Sequence, residues 1–331
     1  MMQAYGLYSH IQANRIKSLI LLAGFVILLQ ALLFSFGLLI AAFTGGGDVS
    51  EIFARAFRQL SVTWPLGMIG AAVWFAIAFL FHRSMIAFAT RARPVERQAA
   101  PALYAALEEL CISRGITMPK LQIIETPGLN AFASGLRPSD YAITVTRGLL
   151  DSLNKRELQA VLAHELTHIR NKDTQLLVIA VIFAGIFAFF SDISFRGLDF
   201  PFGYSPHAPS SSRAKDSDDK NGAAIIVVVI IALAIIAISW GLSVLIRLAL
   251  SRSREFLADA GSVELTKDPD AMISALQRIS GQAAIPDMPS RMHAFFIETP
   301  AVRAVSSLFA THPPIEERIA ALVRYGGGRE V

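Results

Sequence analysis

His164-Glu165-Leu166-Thr167-His168 decides how this chain is read. The pentapeptide sits in residues 157–170, where Leu158, Val161, Leu162, Leu166 and Ile169 recur at helical spacing. Histidines four apart on a helix project from one face, so both imidazoles can reach a single zinc ion. Glu165, next to the first of them, can act as general base for a water activated at the metal. Two ligands and a base within five residues are the minimum set for zinc-assisted peptide hydrolysis. A chance match in a chain this long arises in about one percent of cases. The apolar approach through Val161, Leu162 and Ala163 fits a buried active-site helix better than a solvated one.

Catalytic zinc takes three protein ligands and keeps one position open. The longer pattern that adds a glycine and a third histidine is excluded, because positions 171 and 174 are Asn171 and Thr174. The single cysteine, Cys111, excludes a cysteine-based zinc site and an internal disulfide. Of the remaining histidines, His207 falls in a Ser/Pro-rich stretch and His10 and His82 lie at the edges of apolar runs, which leaves His293 and His312. A carboxylate is the alternative ligand, and the best one is Glu255 in Arg252-Ser253-Arg254-Glu255-Phe256-Leu257-Ala258-Asp259. Glu255 and Asp259 share a helical face, so Glu255 can bind zinc while Asp259 accepts a hydrogen bond from a ligand histidine. The same spacing also suits a solvated acidic-basic helix.

The 331 residues are 53% hydrophobic and only 17% charged, below the ~25% usual for soluble domains. The apolar excess lies in runs at 18–43, 64–81, 176–190 and 222–246. A membrane-spanning helix needs about 20 residues. The first and fourth runs, of 26 and 25 residues, meet that length, the second, of 18, falls within the roughly 17–25 that can span, and the third is short enough to be a core helix instead. The first run is too long for a cleaved signal peptide and reads as an anchor. Arg15 and Lys17 precede the first run, Arg83, Arg91, Arg93 and Arg97 follow the second, and Arg247, Arg252 and Arg254 follow the fourth. This bias places residues 83–175 and 247–331 on the cytoplasmic side.

The expected architecture is a mainly α integral membrane protein. About four transmembrane helices accompany a zincin-like α+β catalytic domain. Residues 1–82 form a membrane hairpin, and residues 83–175 form the first part of the catalytic domain. A second hairpin at 176–246 carries a flexible loop at 191–221, and residues 247–331 complete the domain. The net charge of +4 reflects the cytoplasmic loops, and neither a nucleic-acid nor a nucleotide motif is present. A helix is expected over 100–114, ending at Gly115. Strands follow at 120–125, 130–134 and 141–146, then a helix or turn at 146–153, with Ser152 or Asn154 capping the motif helix. These strands predict a small antiparallel sheet beside the zinc helix. It serves either as scaffold or as an edge to which an extended substrate adds.

Four motifs in order resemble the HtpX branch of the Ste24-like membrane zinc endopeptidases. They are His164–His168, then Glu255-Phe256-Leu257-Ala258-Asp259, then Thr311-His312-Pro313-Pro314-Ile315-Glu316-Glu317-Arg318-Ile319, with Asn130-Ala131-Phe132-Ala133-Ser134-Gly135 as the family's strand. The resemblance covers about residues 10–325. It implies one Zn2+ held by His164, His168 and Glu255, with Glu165 as base, Asp259 in support, and His312 helping to stabilise the oxyanion. Arg318 matches the family's nearby arginine, though from the residues alone it could simply pair with Asp259 or a backbone carbonyl. Asn130, with Ala131 and Phe132, either binds substrate or holds the strand end. The resemblance further implies cleavage of misfolded or damaged membrane proteins at a bacterial inner membrane. Two other classes of function fit the sequence less well. A non-proteolytic zinc-binding membrane scaffold or sensor leaves Glu165 without a use, and a transporter is disfavoured because the apolar runs carry almost no ionisable residue.

Overall fold

The elements run α1 (Leu7–Gly45), α2 (Val49–Thr90), β1 (Arg93–Pro94), α3 (Pro101–Arg114), β2 (Lys120–Ile124), β3 (Ala131–Ser134), β4 (Ala142–Thr146), α4 (Arg147–Ser152), α5 (Lys155–Arg170), α6 (Asp219–Ala249), α7 (Arg252–Thr266), α8 (Pro269–Ile279) and α9 (Ile315–Gly326). The structure, a computed structural model, describes residues 7–45, 47–179, 219–249, 252–285, 296–297 and 313–329. The described residues fall into two compact units. One takes its residues from Met1–Ser18, Ala78–Ile182 and Ile246–Val331, and the other from Leu19–Ile77 and Phe183–Leu245.

In the second unit, Val26–Thr44 of α1 is long and apolar enough to cross a membrane, and the same is true of α2. At 1.5 Å per residue the 42 residues of α2 reach about 63 Å, well beyond a ~30 Å hydrocarbon core. The residues between the first two apolar runs are therefore mostly helix, from Val49 onward. Asp48 starts it, accepting from the backbone N–H of Glu51 at 2.8 Å. Leu38, Ala41 and Ala42 of α1, Ile52 and Ala56 of α2, and Val228 and Ala232 of α6 bury one another. The alanines among them let the helices approach closely. Phe57, Leu66, Ile69, Leu80 and Phe81 of α2 and Ile226 and Ile230 of α6 stay exposed. Most of the short third apolar run lies outside the described residues.

In the first unit the sheet is mixed, which corrects the antiparallel expectation. The order is β1-β2-β4-β3. β3 and β4 form the expected hairpin, with Ala133 opposite Ile143. The chain leaving β2 carries β3 to the outside, so β4 inserts between them and runs parallel to β2, with Gln122 opposite Thr144. β3 itself is the crossover that parallel strands require. Gly135 turns the hairpin at φ +121°, where a Cβ would collide with the backbone of Asp140 and Tyr141. The short strand β1, which carries Pro94, lies at the far edge of the sheet, where proline is tolerated.

Helix α5 lies across this sheet, buried almost end to end. Its start is fixed by a capping box. Asn154 accepts from the N–H of Arg156 and Glu157, and Glu157 accepts from the N–H of Asn154 at 2.9 Å. Glu157 also takes Ser274 Oγ at 2.6 Å and Arg278 Nε at 2.8 Å, so the cap ties α5 to α8. Helix α7 packs against the opposite flank of the motif. Ser262 Oγ donates to the Ala160 carbonyl at 2.7 Å, and a Cβ at Gly261 would strike the side chain of Thr167. That close approach sets the depth at which α7 meets α5. Gly261→Ala is expected to overpack the contact and cost about 1–3 kcal/mol. Thermal melting of the purified variant should show the loss.

Candidate metal centre

His164 and His168 leave α5 one turn apart, both buried, with ring planes at 85° and centroids 4.8 Å apart. Each ring has a carboxylate at its Nδ1. Asp259 Oδ1 lies 2.9 Å from His164 Nδ1, although the N–H points off the straight line to it. Asp173 Oδ2 bonds His168 Nδ1 at 3.0 Å. A carboxylate at Nδ1 fixes the proton there and leaves the Nε2 lone pair as the ligand atom. The two Nε2 atoms then face each other at 3.2 Å. Two lone pairs at that distance repel unless a cation lies between them. Glu255 of α7 closes the third side, 3.6 Å from His164 Nε2 and 3.8 Å from His168 Nε2. Two nitrogens on tetrahedral zinc stand about 3.3 Å apart, so the donor set fits that ion. Among the described residues, these three side chains form the one group placed to hold a metal.

Charge supports the same conclusion. The buried ionisable groups around the site are Glu165, Asp173, Glu255 and Asp259 against Arg254 and Arg318. With neutral imidazoles and all four carboxylates ionised, as metal binding would require, these groups leave two negative charges, which a divalent cation cancels. A low-dielectric interior makes such a balance necessary.

Asp259 is itself clamped. Arg318, fully buried on α9, donates from Nε to Oδ2 at 2.8 Å and from Nη2 to Oδ1 at 2.6 Å, a two-pronged pair. Its Nη1 donates to the Ile297 carbonyl at 2.9 Å and stands 3.5 Å from Glu255. Burial opposes a charge on Asp259, but the guanidinium outweighs it and holds the carboxyl below its ordinary range. Burial likewise opposes a proton on His164. The Asp259 and Glu255 carboxylates overcome it and raise the imidazole to about 9, a measure of how basic they make this ligand. Burial pushes the Glu165 carboxyl up, which strengthens it as a base, and it lies against the N–H of Ala133 on β3.

The structure thus brings together His164, Glu165, His168, Glu255, Asp259 and Arg318. Both partners that the sequence offered Arg318, Asp259 and a backbone carbonyl, are present together. Asn130 is buried and spends its amide inside the protein. Oδ1 accepts from the N–H of Ala131 and of Ile297, and Nδ2 donates to the Ala283 carbonyl. Phe132 is buried against Phe296, with ring centroids 5.6 Å apart. Ala131 lends its carbonyl to the Ile297 N–H at 3.2 Å. His312 lies outside the described residues. Sequence reasoning missed Asp173. Five residues beyond His168, it would face elsewhere on a continuous helix, but Lys172 takes φ +61° and turns the chain back.

Two histidines and a glutamate converging around a buried glutamate base define a metal-dependent hydrolase. The comparisons with known proteins specify it. The model of Peptidase family M48 matches residues 97–325, and the chain belongs to that family, a family of metallopeptidases. A protein named Protease HtpX homolog from Bacteroides fragilis is 39% identical over 333 residues, covering 98% of this chain and 100% of its own. A namesake from Lactobacillus helveticus is 32% identical, covering 96% and 99%. The crystal structure of S. mikatae Ste24p is 20% identical, with a TM-score of 0.45 over 78% of this chain and 58% of that one.

Arg318→Met is expected to strand the Asp259 charge in the interior and cost about 3–5 kcal/mol, seen as a lowered melting temperature. The pH dependence has a definite sign. The folded pKa of Asp259 lies below its unfolded value of about 3.9, so its contribution is complete above that value and lost as pH falls through the folded one. Melting followed from pH 6 to pH 3 should decline less steeply in Asp259→Asn than in the wild type.

Proposed function

We propose that the chain is a zinc-dependent endopeptidase that works at a membrane and cleaves misfolded or damaged membrane proteins. The observation that carries the reading is the convergence of His164 Nε2, His168 Nε2 and the Glu255 carboxylate beside the buried carboxyl of Glu165. His164, His168 and Glu255 would hold a zinc ion, which would supply Lewis acidity and bring the pKa of water towards about 7. Glu165 takes the proton of the attacking water and returns it to the leaving amine. Asp259 and Asp173 keep the imidazoles turned towards the metal through their Nδ1 atoms. His312 is assigned the oxyanion donor by resemblance to the family's motif.

β3 is the outer strand of the sheet, and the Ala133 N–H on its open side lies at the Glu165 carboxyl. An extended polypeptide adding there would pass the base directly. The apolar helices α1 and α2 and the exposed apolar face of α6 support a bilayer setting, with two membrane hairpins at 1–82 and 176–246. The basic residues that flank the apolar runs favour a catalytic part, formed by 83–175 and 247–331, on the cytoplasmic side of a bacterial inner membrane.

The test pairs wild type with Glu165→Gln, purified in detergent, with zinc content and casein cleavage measured on the same samples. Equal zinc near one per chain is expected, with cleavage reduced by at least about 100-fold in the variant. Loss of zinc from Glu165→Gln would make Glu165 a ligand and overturn its assignment as base.

A further inference from the structure

Helix α2 carries an exposed apolar row along its length. Leu66, Ile69, Val73, Ile77 and Leu80 recur at spacings of three and four, each at least 49% exposed, so they share a face. The row does not stop at the first charged residue. Phe81 and Met85 carry it past Arg83, and Phe88, 88% exposed, ends it. The opposite face of the same turns is buried through Ala78, His82, Ile86 and Thr90. From Ala78 onward these residues belong to the unit that carries His164 and His168. That unit therefore holds the end of α2 by one face, and the other face presents a strip of large apolar side chains.

A single exposed apolar side chain, such as Ile112 on α3, is ordinary on a protein surface, but a contiguous strip calls for a cover. Two observations say what covers it. The strip continues the apolar span of α2 itself. Trp64 and Phe88 are 24 residues apart. That is about 36 Å of helix, against a hydrocarbon core of ~30 Å and ~40–45 Å with the headgroup layers included. A helix that enters the bilayer at Trp64 is thus still in the headgroup layer at Phe88. In addition, exposed cations flank the strip, Arg83 within it and Arg91 and Arg93 just after the helix, and their charge matches anionic headgroups. The same part of α2 supports the turn that closes the β3–β4 hairpin. The Arg137 guanidinium lies 4.7 Å from the centre of the Phe79 ring, and Arg83 stands 3.6 Å from Asp140.

We propose that the face of α2 formed by Phe81, Met85 and Phe88 docks into the lipid bilayer among anionic headgroups, so that the unit bearing Glu165 rests on the membrane surface. The inference depends on the membrane reading above and extends lipid contact beyond the hairpin boundary at residue 82.

The experiment uses the full chain in liposomes of phosphatidylethanolamine and phosphatidylglycerol, with a nitroxide on one introduced cysteine. Cys111, the single cysteine of the chain, is buried, and that burial pushes its thiol up to about 11, so the label goes to the new site. Collisions of the nitroxide with oxygen, which concentrates in lipid, are compared with collisions with a water-soluble nickel chelate present on both sides of the membrane. The oxygen-to-nickel ratio is expected to be highest at Val73→Cys, in the middle of the row, and lowest at Ile112→Cys. Phe88→Cys should lie between them and clearly above Ile112→Cys. Met85→Cys should do the same, and it decides alone if Phe88→Cys does not fold. A ratio at Phe88→Cys no higher than at Ile112→Cys would overturn the proposal. Protection from both reagents would overturn it too, because protein would then cover the strip. A ratio at Val73→Cys no higher than at Ile112→Cys would instead overturn the membrane reading itself.

Discussion

The two-pronged ion pair between Arg318 and Asp259 is the contact on which the rest of the unit that carries His164 and His168 depends. It buries two full charges, which is tolerable only because each satisfies the other and both have further partners. Through it α9 is locked to α7, and through Asp259 the same bond reaches the imidazole of His164. The third arm of the guanidinium takes the carbonyl of Ile297, whose N–H is held by Asn130 and Ala131 at the start of β3. One side chain thereby connects His164 to the strand beside Glu165. An arginine is suited to this in a way lysine is not, since a planar fork can serve a carboxylate and a carbonyl at fixed angles.

Most of the centre was legible because it obeys helical periodicity. His164 and His168, and again Glu255 and Asp259, are four apart, and that spacing places each pair on one face. Of the two residues offered as the cap, Ser152 and Asn154, it is Asn154 that fills the position. What stayed hidden depends on departures from regular geometry. Asp173 reaches His168 only because Lys172 adopts a left-handed backbone, and no residue type there announces it. The parallel pairing of β2 with β4 was invisible because adjacent strands in sequence usually pair with each other, whereas here β3 steps outside. Arg254 looked like one of several basic residues following an apolar run. Its burial comes from tertiary packing, which charge counting along a chain does not register. The role of Asn130 turns on Ala283 and Ile297, each more than 150 residues away in sequence.

The centre also illustrates how a protein can keep four carboxylates away from water. Each is tied to a group of opposite character. Asp259 faces Arg318, Asp173 faces an imidazole, Glu255 lies between two imidazoles and a guanidinium, and Glu165 rests against a backbone amide. Glu165 has the weakest of these partners, and it is the carboxyl that burial raises. A group intended to gain and lose a proton is best left with the least compensation.

The contact between Thr167 and Gly261 bears on how the motif is written. In H-E-x-x-H the two unspecified letters suggest freedom, yet Leu166 is sealed in the core and Thr167 abuts a glycine six residues beyond the distal ligand. The spacer is thus part of a longer grammar in which the second x and a residue on another helix are chosen together. Lineages that enlarge one would be expected to shrink the other. A search profile that couples these two positions would separate folded metal centres of this kind from chance occurrences of the pentapeptide.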